Sequence, residues 1–281
     1  MKKIFNLHGG KKLTAGRKTL LMGILNVTPD SFSDGDRYFL PDAAIARAVQ
    51  LIEYGADIID VGAESTRPGA TPISADEEFS RIEKILPVVT KLGVPVSIDT
   101  YKPEVAEKVL ELGVDIINDV HGLEDSRMID VAKKFGAPVI AMHNEKCSEG
   151  DIIGDVKKFF GRTLENCAAK DFDTTQIIFD PGIGFGKTYE DDITILRRLD
   201  ELKFKQEITL AIGVSRKSFI GRATGLKIDE RDEASGAVCV HAISKGIDIL
   251  RVHNVKLISK MRLMADALLR RGNYSWQTKL F

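Results

Sequence analysis

No run in this chain is apolar for long enough to cross a bilayer, and its three cysteines include no C-x-x-C pair. Cys147, Cys167 and Cys239 are widely spaced, which implies neither a disulfide scaffold nor a cysteine-based zinc site and suits a reducing interior. An excess of charge is also missing. With 40 Lys and Arg against 41 Asp and Glu the formal net charge is -1, so nothing favours a duplex nucleic-acid footprint, while a local cationic site for a small anion stays open. Residues 1–17 lack the apolar core of a secretory signal, and a cytoplasmic protein that enters no membrane is expected. The single tryptophan, Trp276, falls in a short tail, where packing against the body or a partner subunit is expected. No G-x-G-x-x-G follows the first predicted strand, which counts against an open nucleotide-binding sheet.

What the chain does have is a recurring unit. Residues 177–187, Ile-Ile-Phe-Asp-Pro-Gly-Ile-Gly-Phe-Gly-Lys, read as a buried strand that delivers Asp180 and then a glycine-rich turn, because Asp-Pro-Gly neither continues a strand nor opens a helix. Other apolar runs end on polar groups in the same way, at Asn26, Asp60, Asp99, Asn118, His143, Ser215 and His253. Strands are predicted over 20–25, 56–61, 94–99, 114–119, 138–142, 177–180, 209–214 and 249–252. Helical spacing intervenes each time: a helix opened by Pro41-Asp42 and ended by Gly55, one capped by Ser74 and Glu77 with Phe79, Ile82, Ile85, Leu86 and Val89 inward, and others over 103–112, 126–135, 152–169, 190–200, 229–244 and 257–269. The phrase Gly-x-Asp recurs at Gly55-Ala56-Asp57, Gly113-Val114-Asp115 and Gly246-Ile247-Asp248, marking three helix-to-strand returns of one geometry.

Eight strand-helix alternations in 281 residues predict a single-domain α/β fold, a (β/α)8 TIM barrel over residues 19–272, with a lead segment at 1–18 and a tail at 273–281. In such a barrel the carboxyl ends of all strands converge on one mouth. Asp99, Asn118 and Asp180 there suit a planar, nitrogen-rich heterocycle, because carboxylates accept from ring N–H and NH₂ groups and an amide both donates and accepts. Lys217, Arg251 and His253 suit an anion such as diphosphate, and alternation along a strand puts Arg251 and His253 on one side. Blander roles exist for several of these: Asp99 and Asp180 as turn caps, Arg216-Lys217 as a solvated pair, His253 as a satisfied polar core residue, Arg67 as an exposed turn residue and Met142 as core. Phe32 and Phe185, aromatic in polar or glycine-rich loops, read as lids or stacking surfaces.

At these residues the sequence resembles the dihydropteroate synthase family. Asn26-Val27-Thr28-Pro29-Asp30-Ser31-Phe32-Ser33-Asp34-Gly35, Glu64-Ser65-Thr66-Arg67-Pro68-Gly69, residues 179–187, Ser215-Arg216-Lys217-Ser218-Phe219 and Arg251-Val252-His253 look like its signatures in order, over about residues 19 to 270. The resemblance implies a homodimeric eightfold barrel that joins 6-hydroxymethyl-7,8-dihydropterin diphosphate to 4-aminobenzoate, with sulfonamides competing for the second site. It implies that Asp99, Asn118, Asp180 and Lys217 hold the pterin with Met142 against its ring. It implies further that Asn26, Arg251 and His253 hold the diphosphate, Asn26 with Mg2+, and that Phe32, Thr66, Arg67, Pro68, Phe185, Lys217 and Ser218 surround the aminobenzoate. Asp34 is the expected closing-loop residue at the cation or metal end, alongside Lys217, Arg251 and His253 as the catalytic set. The chemistry expected is a dissociative substitution without a protein nucleophile.

Three departures from the family pattern stand out. The segment after His143, running Asn144-Glu145-Lys146-Cys147-Ser148-Glu149-Gly150, is acidic and lacks a proline; Val214 stands where threonine is common; and Asn254 stands where aspartate is common, removing a charge able to orient His253 or raise its basicity. Two alternatives are weighed against the synthase: a pterin-dependent methyl-carrier barrel, which has no need of residues 26–35 or 215–219, and a pterin-binding protein without turnover.

Overall fold

The computed structural model describes residues 2–28, 40–65, 70–146, 150–205 and 208–269. Of the residues singled out above, Phe32, Asp34, Thr66, Arg67, Pro68, Cys147 and Trp276 lie outside the described residues. Short runs rich in Ile, Val and Leu, unable to shed their apolar faces singly, pair in parallel and close into a barrel in sequence order. The strands are β3 (Leu20–Asn26), β4 (Ile58–Gly62), β5 (Val96–Asp99), β6 (Ile116–Asp119), β7 (Val139–Met142), β8 (Ile177–Asp180), β9 (Thr209–Gly213) and β10 (Ile249–Val252), with β10 returning to β3. The eightfold barrel expected from the sequence is therefore the fold.

Alternation sorts the side chains. Leu21, Ile59, Val61, Ile117, Phe179, Leu210, Leu250 and their neighbours face outward, into one continuous core with the surrounding helices. These are α1 (Leu40–Glu53), α2 (Ala75–Ile82), α3 (Leu86–Val89), α4 (Pro103–Glu111), α5 (Arg127–Phe135), α6 (Ile152–Ala169), α7 (Tyr189–Arg197), α8 (Ser218–Thr224), α9 (Asp232–Ser244) and α10 (Val255–Leu269). The helix predicted from Ser74 through Val89 is divided in two, because Pro87 has no N–H to give to the Glu83 carbonyl. Helix α8 was not foreseen; it starts directly after Lys217, where the sequence suggests only a turn.

Inward-facing Leu20, Met22, Ile58, Ile116, Ile140, Ile178, Ala211 and Ile249 form a second apolar cluster, joined by Phe5, Leu7, Leu13 and Ala15. Those four come from the lead segment, which is an antiparallel hairpin of β1 (Lys3–Asn6) and β2 (Lys12–Ala15) that stoppers the foot of the barrel. Phe5 is fully buried, and the Asn6 N–H donates to the Gln176 side chain at 2.8 Å.

The Gly-x-Asp returns are latches. The carboxylates of Asp57, Asp115 and Asp248 accept from the backbone N–H of Leu21, Val96 and Leu210, each on the preceding strand of the chain or of the sheet, at 2.9, 3.0 and 3.0 Å. Each also pairs with a lysine, Lys18, Lys11 and Lys203 respectively. The foot is thus stitched shut by three copies of one motif, and the mouth at the opposite end is left for chemistry.

Candidate active site

Parallel register lines up Asn26, Gly62, Asp99 and Asn118 as one lateral row across β3 to β6. Lacking a side chain, Gly62 leaves a gap in that row between Asn26 and Asp99. Asp60, one inward step below Gly62 and fully buried, was not singled out as a site residue, yet it organises the floor. Its carboxylate takes Arg251 Nε at 2.6 Å and Asn118 Nδ2 at 3.2 Å, while Arg251 Nη2 reaches Asp99 Oδ2 at 2.6 Å. The signal for Asp60 was present, an aspartate in an apolar run.

Two carboxylates competing for one guanidinium leave Asp99 under-compensated. Its Oδ1 is buried without a hydrogen-bond partner. Burial pushes its pKa from 3.8 up to about 7 against the pull of Arg251, and the Asp60 charge adds to the rise. Arg251, although desolvated, is held above its ordinary value by Asp60 and Asp99. A buried acceptor oxygen with no donor is a place where a ligand N–H completes the hydrogen bonding.

Opposite this row, Met142 sits one inward step above Ile140 of the inner cluster, buried and in register with Asp180 on β8. Asp180 Oδ1 accepts from the Gly182 N–H at 2.7 Å, and burial raises its pKa in spite of Lys217 nearby. The turn-cap role of Asp180 is therefore present, carried by one of its two oxygens. Gly182 has φ +69°, and a Cβ there would run into the His143 carbonyl oxygen, so only glycine fits. Lys187, from the same glycine-rich turn, donates to His143 Nδ1, His143 O and Phe185 O at 2.9, 3.0 and 3.0 Å. Burial and the Lys187 charge push the His143 pKa down to about 4, so its ring is neutral and accepts at Nδ1.

Lys217 enters from the turn after β9. Arg216 adopts φ +60°, rare for a side-chain-bearing residue, and this twist separates the two basic neighbours. Arg216 turns to Asp232 in a two-pronged ion pair at 2.6 and 2.8 Å, whereas Lys217 Nζ donates to the Ile183 carbonyl and lies 4.4 Å from the Phe185 ring centroid. Burial lowers the Lys217 pKa to about 8, with Asp180 opposing the fall. The turn is held from α9 and the residue before it: Ser235 Oγ accepts from the Arg216 N–H at 2.9 Å, and Arg231 donates to the Arg216 and Lys217 carbonyls at 3.2 and 3.3 Å. Arg231, Asp232 and Ser235 were missed because only the fold brings them beneath the turn. Ser218 follows as the exposed first residue of α8.

His253 stands above Arg251 on the same side, as alternation requires, with Nδ1 2.9 Å from Ser215 Oγ. Asn254 does not perform the service expected of the residue after His253. Its amide donates to Asp232 at 2.8 Å, and its oxygen caps α10 by accepting from the Leu257 N–H at 3.1 Å. Ser215, one strand away, is what faces the imidazole.

The model of the family described as pterin binding enzyme matches residues 22–253. The dihydropteroate synthase of Bacillus subtilis is 44% identical over 263 residues, 92% of each chain. The chain belongs to the dihydropteroate synthase family. Among solved structures, dihydropteroate synthase from Clostridium difficile, in the presence of pteroic acid, is 42% identical with a TM-score of 0.88, covering 92% of this chain and 99% of that one. The enzyme from Xanthomonas albilineans with 4-aminobenzoic acid is 33% identical with a TM-score of 0.91, covering 97% and 100%. Family membership, the barrel and an enzymatic synthase role stand on these likenesses and on a mouth that holds Asn26, Asp99, Asn118, Met142, Asp180, Phe185, Lys217, Arg251 and His253 on its strand ends and the turns that follow them.

Proposed function

We propose that this mouth condenses 6-hydroxymethyl-7,8-dihydropterin diphosphate with 4-aminobenzoate to 7,8-dihydropteroate and diphosphate. The observation that carries the assignment of roles is the unpartnered Oδ1 of buried Asp99, in register with Asn118. A pterin edge presents ring N–H and NH₂ donors, and Asp99, Asn118 and Asp180 offer acceptors of matching kind. Met142 supplies an apolar, polarisable surface for the ring, and Lys217 offers a cation to its polar rim. Relatives solved with pteroic acid and with 4-aminobenzoic acid support the choice of ligands.

The C–O bond between the exocyclic carbon and the diphosphate breaks first, with the electron pair leaving on diphosphate. His253 and the remaining donors of Arg251 take up charge on the leaving group, since the pairs with Asp60 and Asp99 occupy only two of the five guanidinium N–H bonds. The arylamine then attacks the delocalised pterin cation and releases a proton to solvent. Phe185 beside Lys217 forms one wall of the aminobenzoate side, with Ser218 at the rim. Asp34, Phe32, Thr66, Arg67 and Pro68 keep the roles the resemblance implies.

Among the described residues no group of three or more His, Cys, Asp or Glu could hold a metal. Mg2+ takes few protein ligands and completes its shell with water and substrate phosphate oxygens; Asn26, whose amide oxygen borders the Gly62 gap, would be the protein's share. When bound, the ion neutralises charge on the departing diphosphate. A homodimer is also proposed: α9 exposes Val240 and α10 exposes Met264 and Leu268, apolar side chains that a second copy would cover. Sulfonamides, shaped like the aminobenzoate, are expected to compete. Among the described residues no helix is long and apolar enough to cross a membrane.

The deciding experiment follows product by mass with both substrates and magnesium. Dihydropteroate formed only when the protein and both substrates are present supports the reading. Pterin bound tightly by folded protein with no product would favour a binding protein instead.

A further inference from the structure

The glycine-rich turn after β8 owes its shape to side chains outside the acceptor row. Gly182 at φ +69° and Gly184 at φ +77° leave this stretch with little conformational preference of its own, so its shape is imposed by what grips it. Two charged groups do so, one on each flank. Lys187 donates to His143 Nδ1, His143 O and Phe185 O at 2.9, 3.0 and 3.0 Å, which ties the far end of the turn to the end of β7. The imidazole that receives it is 1% exposed and meets Phe159 of α6 edge-on, ring centroids 5.3 Å apart, so the anchor is itself fixed. On the other flank Asp192 of α7, 3% exposed, accepts from the Gly184 N–H at 2.8 Å. Burial raises the Asp192 pKa against that bond and against the charges of Lys217 and Lys187. A carboxylate is costly to bury, and this one is spent on a single turn.

Between the two anchors lies the seat of Lys217. The Ile183 carbonyl accepts from Lys217 Nζ, and Gly184 comes so near the lysine stem that a Cβ there would stand 3.2 Å from Cδ. Arg231 holds the other end of the same residue, donating to the Lys217 carbonyl at 3.3 Å. The backbone of Lys217 is thus set from beside α9 and its head group from the turn. Charged groups face that head group from four places: Asp180 on β8, Arg251 on β10, Asp192 on α7 and Lys187 on the turn. The two anchors act on it with opposite sign, Asp192 favouring the ammonium form and Lys187 opposing it.

We propose that Lys187 and Asp192 are positioning residues for Lys217, gripping from two sides the turn whose Ile183 carbonyl receives its ammonium group. This rests on the synthase reading above, in which Lys217 serves the pterin. Neither anchor needs to touch a substrate, because each acts through the turn and through its charge.

The test compares Lys187→Met, Asp192→Ala and Asp192→Asn with the parent in steady-state kinetics and in an NMR titration of isotope-labelled lysine side chains, with the Lys217 signal assigned by its loss in Lys217→Arg. The Lys217 midpoint, about 8 in the parent, is expected to rise by about half a pH unit or more in Lys187→Met and to fall by about as much in Asp192→Asn. Lys187→Met and Asp192→Ala are expected to lower kcat/KM about tenfold or more, and Asp192→Asn, which keeps an acceptor for Gly184, to retain most of the parent value at a pH where Lys217 stays protonated. A midpoint unmoved in both charge variants, or moved in the same direction by both, overturns the proposal. Full kcat/KM in Lys187→Met and Asp192→Ala also overturns it. Should the parent itself make no dihydropteroate, the synthase reading fails on its own; the NMR titration, which needs no turnover, still decides whether the two anchors set Lys217.

Discussion

The two ends of this barrel are built from the same residue types and settle them in opposite ways. At the foot, Asp57, Asp115 and Asp248 each receive a backbone N–H and a lysine, and Phe5, Leu7, Leu13 and Ala15 fill the space beneath the inner cluster. At the mouth, Asp60 and Asp99 share one arginine, Asp99 Oδ1 has no partner, and Lys217 is buried far enough for its pKa to fall to about 8. Satisfied carboxylates hold a fold together, whereas under-satisfied ones are held in place by it and wait for a ligand. Stability should therefore concentrate at the foot and activity at the mouth.

The sharpest break of that contrast is at Lys217. Lys217→Ala is expected to lower kcat/KM by three to four orders of magnitude, about 4–5.5 kcal/mol of transition-state stabilisation, while the melting temperature moves by only a few degrees. A large loss of stability with intact activity per folded molecule would reverse the assignment. Phe5→Ala is the counterpart at the foot: urea denaturation should show about 3–4 kcal/mol of lost stability, with kcat unchanged in the folded fraction.

The pH dependence of the mouth comes next. Between its free value of 3.8 and about 7, the folded chain keeps on Asp99 a proton that the unfolded chain has released. Stability from this group is thus full below pH 3.8 and declines as pH rises through about 7. Pterin binding has the opposite need, an ionised acceptor. The kcat/KM for the pterin diphosphate should rise up to about pH 7 and fall above about pH 8 as Lys217 loses its proton, changing about tenfold per pH unit on each limb. A profile flat from about pH 5 to about pH 10 would remove both groups from the binding step.

Smaller effects refine the comparison. Asp248→Asn keeps an acceptor for the Leu210 N–H but loses the charge facing Lys203, and should cost about 1–2 kcal/mol in denaturant titration with kinetics untouched. Asn254→Asp sets a carboxylate against Asp232 in place of a donor. It should cost under about 1 kcal/mol and change kcat less than about threefold, because Ser215 and not residue 254 faces the His253 ring. A tenfold gain in rate from that change would restore the expectation drawn from the family pattern.

How much of this could be read in advance depends on the range of the interaction. Short apolar runs and the turn residues beside them are local, so all eight barrel strands and the polar ends Asn26, Asp99, Asn118 and Asp180 were legible in sequence. The same holds for the Gly-x-Asp returns, though not for what the aspartates do there. The lead hairpin was not legible, since two four-residue strands about Gly9-Gly10 have too short a pattern to stand out. Asp60 was visible as a polar end of an apolar run, but its tie to Arg251 spans 191 positions, and the split between Arg216 and Lys217 depends on a single backbone twist.

Sequence alone determined that this chain repeats a strand and helix eight times and carries the family's signatures at the strand ends, because propensity and periodicity act over a few residues. Tertiary structure decided which charges meet. Arg251 reaches Asp60 across 191 positions by closure of the barrel, and Lys102 reaches Glu64 across 38 by the pairing of neighbouring strands. Burial then sets their protonation, since the cost of a charge depends on the water that closure removes.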